Sequence, residues 1–240
     1  GFTLQTVNSA LLTVNKAALG VALSGTYSGT TTISPSSFTV TGLVNGDTVT
    51  ALSSATLNSK DVASNTSNYV ISLAIGAGTA SMNNYQITQA RNATAGTDTT
   101  NVVTMTTRAL TVTAPTVNKT YDGTTSASGS ATVGPLGSGD SVNVAAALAF
   151  TDKNVGSGNK TVQASGITIK DGSNADMTGN YSISYVDNTT STITAKALTV
   201  SGTTVSNKTY DGSTTASLSG GTLVGVIAAD AANVTLTQAG

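Results

Sequence analysis

Apolar and polar residues alternate in short runs along this chain. Arg108-Ala109-Leu110-Thr111-Val112-Thr113 puts Leu110 and Val112 on one side and Thr111 and Thr113 on the other. That is the period-two signature of a half-buried strand. Lys196-Ala197-Leu198-Thr199-Val200-Ser201 says the same thing again, and Lys16-Ala17-Ala18-Leu19-Gly20-Val21 is a looser version. Further strand-like runs are Thr48-Val49-Thr50-Ala51, Ser141-Val142-Asn143-Val144 and Asn233-Val234-Thr235-Leu236. Ala145–Phe150 has a helix-compatible composition, but its neighbours are strand-like. Short strands with turn signals about every 8–12 residues predict an all-β chain built of small sandwiches, Ig-like or related.

The pattern recurs with a period of about 90 residues, the size of a small domain rather than of a solenoid coil. Four landmarks keep one order. The first is Lys119-Thr120-Tyr121-Asp122-Gly123-Thr124-Thr125, repeated as Lys208-Thr209-Tyr210-Asp211-Gly212-Ser213-Thr214 and, more weakly, as Gly25-Thr26-Tyr27-Ser28-Gly29-Thr30-Thr31. The second is a turn at Asn45-Gly46-Asp47, Ser138-Gly139-Asp140 and Asp230. The third is Ser59-Lys60-Asp61-Val62 against Asp152-Lys153-Asn154-Val155. The fourth is Asn84-Tyr85-Gln86-Ile87 against Asn180-Tyr181-Ser182-Ile183. The resulting division is 1–15 (the closing strand of a preceding repeat, with Phe2, Leu4, Leu12 and Val14 as its apolar residues), 16–107, 108–195, and 196–240 as an opening half. Junctions with almost no linker predict a stiff rod. An opening half alone would leave an unpaired edge and a bare apolar face. The chain therefore reads as a piece of something longer, completed by more chain or by another chain.

Composition narrows the function. Charged residues make up only 9% of the chain and the net charge is -1, which disfavours nucleic acid and anionic membrane surfaces as partners. There is no apolar run long enough to span a bilayer as a helix, so membrane insertion is not expected. The chain has no Cys and no His; disulfides, thiolate metal sites and the commonest catalytic bases and thiol nucleophiles are absent from it. An enzyme is not expected. Abundant Thr suits strand faces, since its branched Cβ fits a pleated surface.

The Lys-Thr-Tyr-Asp-Gly phrases, with Asp152-Lys153-Asn154-Val155-Gly156 and Asn180-Tyr181, resemble the YDG-type repeat of large secreted bacterial surface proteins of the filamentous-haemagglutinin kind. The first copy departs from it, with Ser28 in place of Asp and no Lys before Tyr27. The resemblance implies an extracellular, non-catalytic stalk or fibre segment of an adhesin, self-associating end to end or side by side; a glycan- or surface-binding module is the alternative. It implies no active-site residues.

Tyr27, Gly29, Tyr121, Asp122, Gly123, Tyr210, Asp211, Gly212, Tyr85 and Tyr181 are the repeat markers. We read Tyr-Asp-Gly as a hairpin turn in which Tyr plugs the core and bonds backbone through its hydroxyl, with Gly supplying positive φ. The other candidates are weaker. Asp47, Asp140, Asp171 and Asp176 lie near turns and offer oxygen to calcium between modules, but no cofactor is expected. Lys119 and Lys208 are candidates for a Lys–Asn isopeptide bond. Asn65, Asn92, Asn118, Asn159, Asn180, Asn188, Asn207 and Asn233 lie in Asn-X-Ser/Thr sequences, and Ser and Thr are common enough to produce these by accident. Thr-X-Thr arrays suggest ice or mineral binding, though the period is too long to stack them.

Overall fold

The structure is a computed structural model that describes residues 13–91 and 100–239. Phe2, Leu4, Leu12 and Asn92 lie outside the described residues. The chain is all-β; the described residues form three single-turn 3-10 segments and eighteen strands. In chain order the strands are β1 (Ala17–Thr26), β2 (Thr32–Ile33), β3 (Ser37–Thr41), β4 (Val49–Leu57), β5 (Val70–Gly78), β6 (Tyr85–Ile87) and β7 (Asn101–Thr106). There follow β8 (Arg108–Thr113), β9 (Asn118–Thr120), β10 (Thr132–Val133), β11 (Ser141–Val144), β12 (Ala147–Phe150) and β13 (Gly156–Ser165). The last are β14 (Thr168–Lys170), β15 (Tyr181–Val186), β16 (Asn188–Thr194), β17 (Thr199–Val205) and β18 (Leu218–Val224). The Ala-rich run 145–150 contributes a strand, β12, because Phe150 is buried and its ladder with β13 uses the extended backbone.

The residues group into two compact units. Unit 1 takes Gly1–Leu110, Pro135–Asn143 and Ile169–Ser182; unit 2 takes Thr111–Gly134, Val144–Thr168 and Ile183–Gly240. Each unit is thus made from more than one sequence repeat.

In unit 1, β1 pairs antiparallel with β3 and parallel with two partners in succession, β6 along Ala17–Leu19 and β7 along Val21–Thr26. A second sheet has the order β2-β4-β5. Leu19, Val21 and Leu23 point inward from β1 and meet Ile33, Ala55, Leu57, Val70, Leu73, Tyr85, Val103 and Met105 in one core drawn from both sheets. Asparagine side chains, buried Asn101 and half-buried Asn65, repair the ladder where strands part. The Asn101 carboxamide accepts from the Val70 N–H (2.9 Å) and donates to the Val70 carbonyl (3.0 Å), and Asn65 does the same for Met105 (2.7 and 2.8 Å). An unpaired amide there would cost as much as a lost hydrogen bond.

Unit 2 contains the sheet β12-β13-β16-β9, in which β16 and β9 run parallel. Val112 is opposite Val133 across β8 and β10, and the Ala114 N–H donates to the Val186 carbonyl. Val112, Ala114, Val117, Phe150, Val162, Ala164, Ile167 and Ile193 are buried. Among the described residues, 195–239 contribute the hairpin β17-β18 and a 3-10 turn at Ala228–Asp230. Here Leu198, Val200, Val205 and Val224 are exposed, although Leu110 and Val112, the counterparts of Leu198 and Val200, are fully buried. Asn233–Leu236 forms no strand; it lies against the β17-β18 hairpin, where a Cβ on Gly221 would be 3.1 Å from Leu236 Cδ2.

Candidate functional site

The second landmark is one turn made three times. The N–H of Asp47, Asp140 and Asp230 donates to the carbonyl three residues back, that of Val44, Gly137 and Ile227, at 3.0, 3.1 and 2.9 Å. The fourth-landmark tyrosine of the same repeat closes the arrangement. Tyr85 donates to Asp47 Oδ2 (2.6 Å) and accepts from the Val44 N–H (3.1 Å). Tyr181 donates to Asp140 Oδ2 (2.6 Å) and accepts from the Gly137 N–H (2.7 Å). One hydroxyl thereby satisfies both ends of the turn.

The Tyr of the preceding Tyr-Asp-Gly or Tyr-Ser-Gly phrase then reaches the same aspartate. Within unit 1 the Tyr27 hydroxyl donates to Asp140 Oδ2 at 2.8 Å, and its ring meets Tyr181 edge-to-face at 5.4 Å and 73°. Within unit 2 the Tyr121 hydroxyl donates to Asp230 Oδ2 at 2.7 Å. Asp140 therefore receives two tyrosines, one from its own repeat and one from the repeat before. Its Oδ1 is buried without a hydrogen-bond partner among the described residues. Burial, followed by the bond to Asp140, pushes Tyr181 up to about 12 and Tyr27 far above the usual phenol range. Bonds to Asp47 and Asp230 raise Tyr85 and Tyr121. In each case ionisation would set two negative charges side by side.

The third landmark belongs to the same cluster. Lys60 Nζ lies 3.4 Å from the Tyr27 hydroxyl, 5.7 Å from the centre of its ring and 3.5 Å from Asp171 Oδ2. Lys153 Nζ lies 3.6 Å from Asp230 Oδ1. Buried Asn180 donates to Asp61 (2.9 Å) and accepts from the Val62 N–H (2.9 Å), which ties the third landmark of one repeat to the fourth of the next. All four landmarks thus meet at a clasp between successive repeats. Tyr and Lys come from the earlier repeat; Asp and, where present, Asn-Tyr come from the later one.

The Tyr-Asp-Gly phrase is not itself a tight hairpin turn. It lies within the long connections between paired antiparallel strands, β1 to β3 and β17 to β18, while β9, which leads into the second copy, pairs with β16. The Tyr27 and Tyr121 hydroxyls bond a distant carboxylate rather than local backbone. Asp122 instead staples its own loop. It accepts from Lys119 Nζ (2.9 Å), the Thr124 N–H (2.9 Å) and the Thr124 hydroxyl (2.9 Å), and these bonds hold it near pKa about 2. Asp211 repeats the staple with Ser213 and Lys208. Gly29, Gly123 and Gly212 all have positive φ, as expected. Sequence reading missed a second demand on two of them. A Cβ on Gly29 would lie 2.3 Å from the Ser138 carbonyl oxygen, and one on Gly123 would lie 2.8 Å from Ile227 Cγ2, so the next repeat's turn packs directly on the glycine. At Gly212 that space is open and Tyr210 is exposed.

The chain matches two family descriptions. The family described as YDG domain covers residues 106–191 and 194–240. The chain belongs to the YDG domain family. Residues 18–97, the copy with Ser28 in place of Asp, match a different description, the MBG domain (YGX type). No curated protein and no solved structure matches the chain.

The remaining candidates are occupied by structure. Asp47 and Asp140 are held by tyrosines. Asp171 accepts from the Ser173 and Ala175 N–H groups, and Asp176 from that of Thr178. Among the described residues no three carboxylates stand together as a metal site. Lys119 Nζ is spent on Asp122 and on the carbonyls of Thr124 (2.7 Å) and Ser126 (2.9 Å), and Lys208 on Asp211 and the Ser213 carbonyl (2.8 Å), not on an Asn. Asn180 is buried and is no acceptor for a bulky glycan.

Proposed function

We infer that this chain is a load-bearing stalk or fibre segment of a secreted bacterial adhesin, non-catalytic and displayed outside the cell. The observation that carries the reading is the Tyr27–Asp140–Tyr181 clasp with Lys60 beside it. Repeats strung on free linkers need no such device. Here the side chains that mark the repeat period are the ones used to lock one repeat to the next, so force on one repeat passes to its neighbour through a buried, charge-assisted bond. Low charge and Thr-rich faces suit a neutral surface that is exposed over a long length, and the resemblance to filamentous-haemagglutinin-type proteins supplies the extracellular setting.

Electron microscopy of the secreted parent material, with antibody against residues 108–195, tests this. Labelled, straight segments of constant width are the expected result. Labelled strings that bend freely at every repeat would overturn the stalk. A glycan array with the purified chain provides the second arm: selective saturable binding of a sugar would assign the chain to recognition instead.

A further inference from the structure

A lysine amine, an asparagine carboxamide and a carboxyl group meet in unit 1, where the third landmark of one repeat touches the fourth of the next. Asn180 is 5% exposed. Its Nδ2 donates to Asp61 Oδ1 at 2.9 Å, and its Oδ1 accepts from the Val62 N–H at 2.9 Å. The carboxamide is held at both ends, its nitrogen on an acid and its oxygen on an amide donor. Lys60 lies alongside. Its Nζ donates to Met177 Sδ at 3.0 Å, and Asn180 Nδ2 reaches the same sulfur at 3.5 Å. Amine and carboxamide thus touch one common atom. Met177 and Tyr27, both buried, screen the group from bulk water. Lys119 and Lys208, by contrast, have their ammonium groups filled by loop oxygens and no carboxamide within bonding distance.

We propose that Lys60 and Asn180 form an intramolecular isopeptide bond, with Asp61 as the proton carrier. Asp61 takes a proton from the Lys60 ammonium, and the neutral amine attacks Asn180 Cγ. Negative charge gathers on Asn180 Oδ1, where the Val62 N–H is in place to stabilise it. Asp61 then protonates Nδ2, the atom it holds before reaction, and accepts a proton from the attacking nitrogen. The Cγ–Nδ2 bond breaks, the Nζ–Cγ amide remains, and ammonia departs as ammonium with the last proton from Asp61. No oxidant, metal or second substrate is consumed. Lys60 must first swing away from Asp171 Oδ2, 3.5 Å from its Nζ, a rotamer change open to a side chain that is 20% exposed. The next copy of the landmark lacks the proton carrier: Lys153 stands at the place of Lys60, but Asn154 replaces Asp61. The bond is therefore assigned to the Lys60 copy alone. It joins one repeat to the next covalently, whether or not the parent is a stalk.

Intact-mass spectrometry of the purified full chain, followed by tryptic digestion and fragmentation of the peptides, tests this. The chain should weigh one ammonia less than its sequence. One branched peptide should join Lys60 to Asn180, with no tryptic cleavage after Lys60. Lys60→Arg keeps the positive charge and should restore the full sequence mass. Asp61→Ala should restore it too, in a chain whose far-UV circular dichroism still reports the β-sheet fold. An unmodified chain at full sequence mass overturns the proposal without reference to any variant. So does ammonia loss with linear peptides only, since the loss then comes from ring closure at an asparagine and not from a cross-link. Undiminished cross-linking in Asp61→Ala overturns the role given to Asp61.

Discussion

Removing the Tyr27 hydroxyl tests whether the clasp couples repeats or merely decorates their boundary. Tyr27→Phe keeps a ring that is 1% exposed and its edge-to-face contact with Tyr181, so packing is preserved. The change deletes one 2.8 Å bond to a carboxylate. Hydrogen bonds to charged groups contribute about 1.5–3 kcal/mol, and exposure of the site is too low for water to replace the donor. The single substitution should therefore cost about 2 kcal/mol. Asp140→Ala removes the acceptor of both tyrosines and should cost more than either phenylalanine change. In the Asp140→Ala background the Tyr27→Phe change has no bond left to break, and its cost should fall below about 0.5 kcal/mol. The coupling between residues 113 apart in sequence is then about 1.5–3 kcal/mol, well outside the additivity of independent sites. Urea unfolding followed by tyrosine fluorescence, undisturbed because the chain has no Trp, measures the four corners of the cycle, and amide exchange assigns the loss to unit 1. Additive costs across the cycle would refute the clasp as an energetic link.

Three further outcomes follow from the same geometry. Tyr27 and Tyr181 have folded pKa values raised above the unfolded value of about 10, so their contribution is complete below pH 10 and is lost as pH climbs toward about 12 for Tyr181; the unfolding free energy from denaturant titrations should fall by up to about 1.4 kcal/mol per pH unit per tyrosine in that range, and Tyr181→Phe should flatten the slope. Gly123→Ala should destabilise more than Gly212→Ala: both glycines have positive φ, which costs alanine about 1–2 kcal/mol, but only Gly123 faces Ile227, and thermal melts of the two variants give the difference directly. Leu110→Ala should cost about 2–5 kcal/mol and Leu198→Ala less than about 0.5, because the first side chain is 1% exposed and the second 41%; equal costs in denaturant titrations would show the 194–240 face to be covered in solution.

The strand content and the repeat markers were legible because both are local. Leu110 and Val112 alternate with Thr, and only a strand buries every second residue. The direction of pairing was not legible. The alternation of β1 is satisfied equally by a parallel or an antiparallel neighbour, and its two parallel partners, β6 and β7, begin 68 or more residues further along the chain. The clasp was hidden for a related reason. Asp47, Asp140 and Asp230 each follow a turn-forming context that explains an acid without any partner, and the tyrosines of the phrase each suit a core plug. Only the fold brings Tyr121 to Asp230, 109 residues away. One signal was available: all four landmarks hold their order at one period, although a turn and a plug would tolerate drift between them. Residues that must meet across a repeat boundary cannot drift independently.

The retained Gly and the dropped Asp of the opening phrase now have separate explanations. Glycine is kept in all three copies because its φ is positive in each and, where the next repeat's turn sits on it, because no Cβ fits. The aspartate has no role at the clasp. Asp122 and Asp211 pair with Lys119 and Lys208, three residues back, and both members of the pair are missing from the first copy, which has Ser28 and Gly25 at those positions. There the Ser28 hydroxyl lies 3.2 Å from that of Thr30 and spans the same two-residue step that Asp122 spans to Thr124. A lysine alone would point a cation at the loop carbonyls without its counter-charge, and an aspartate alone would lose its main donor. The two are therefore present or absent together, and the tyrosine, which serves the neighbouring repeat rather than its own loop, stays in either case.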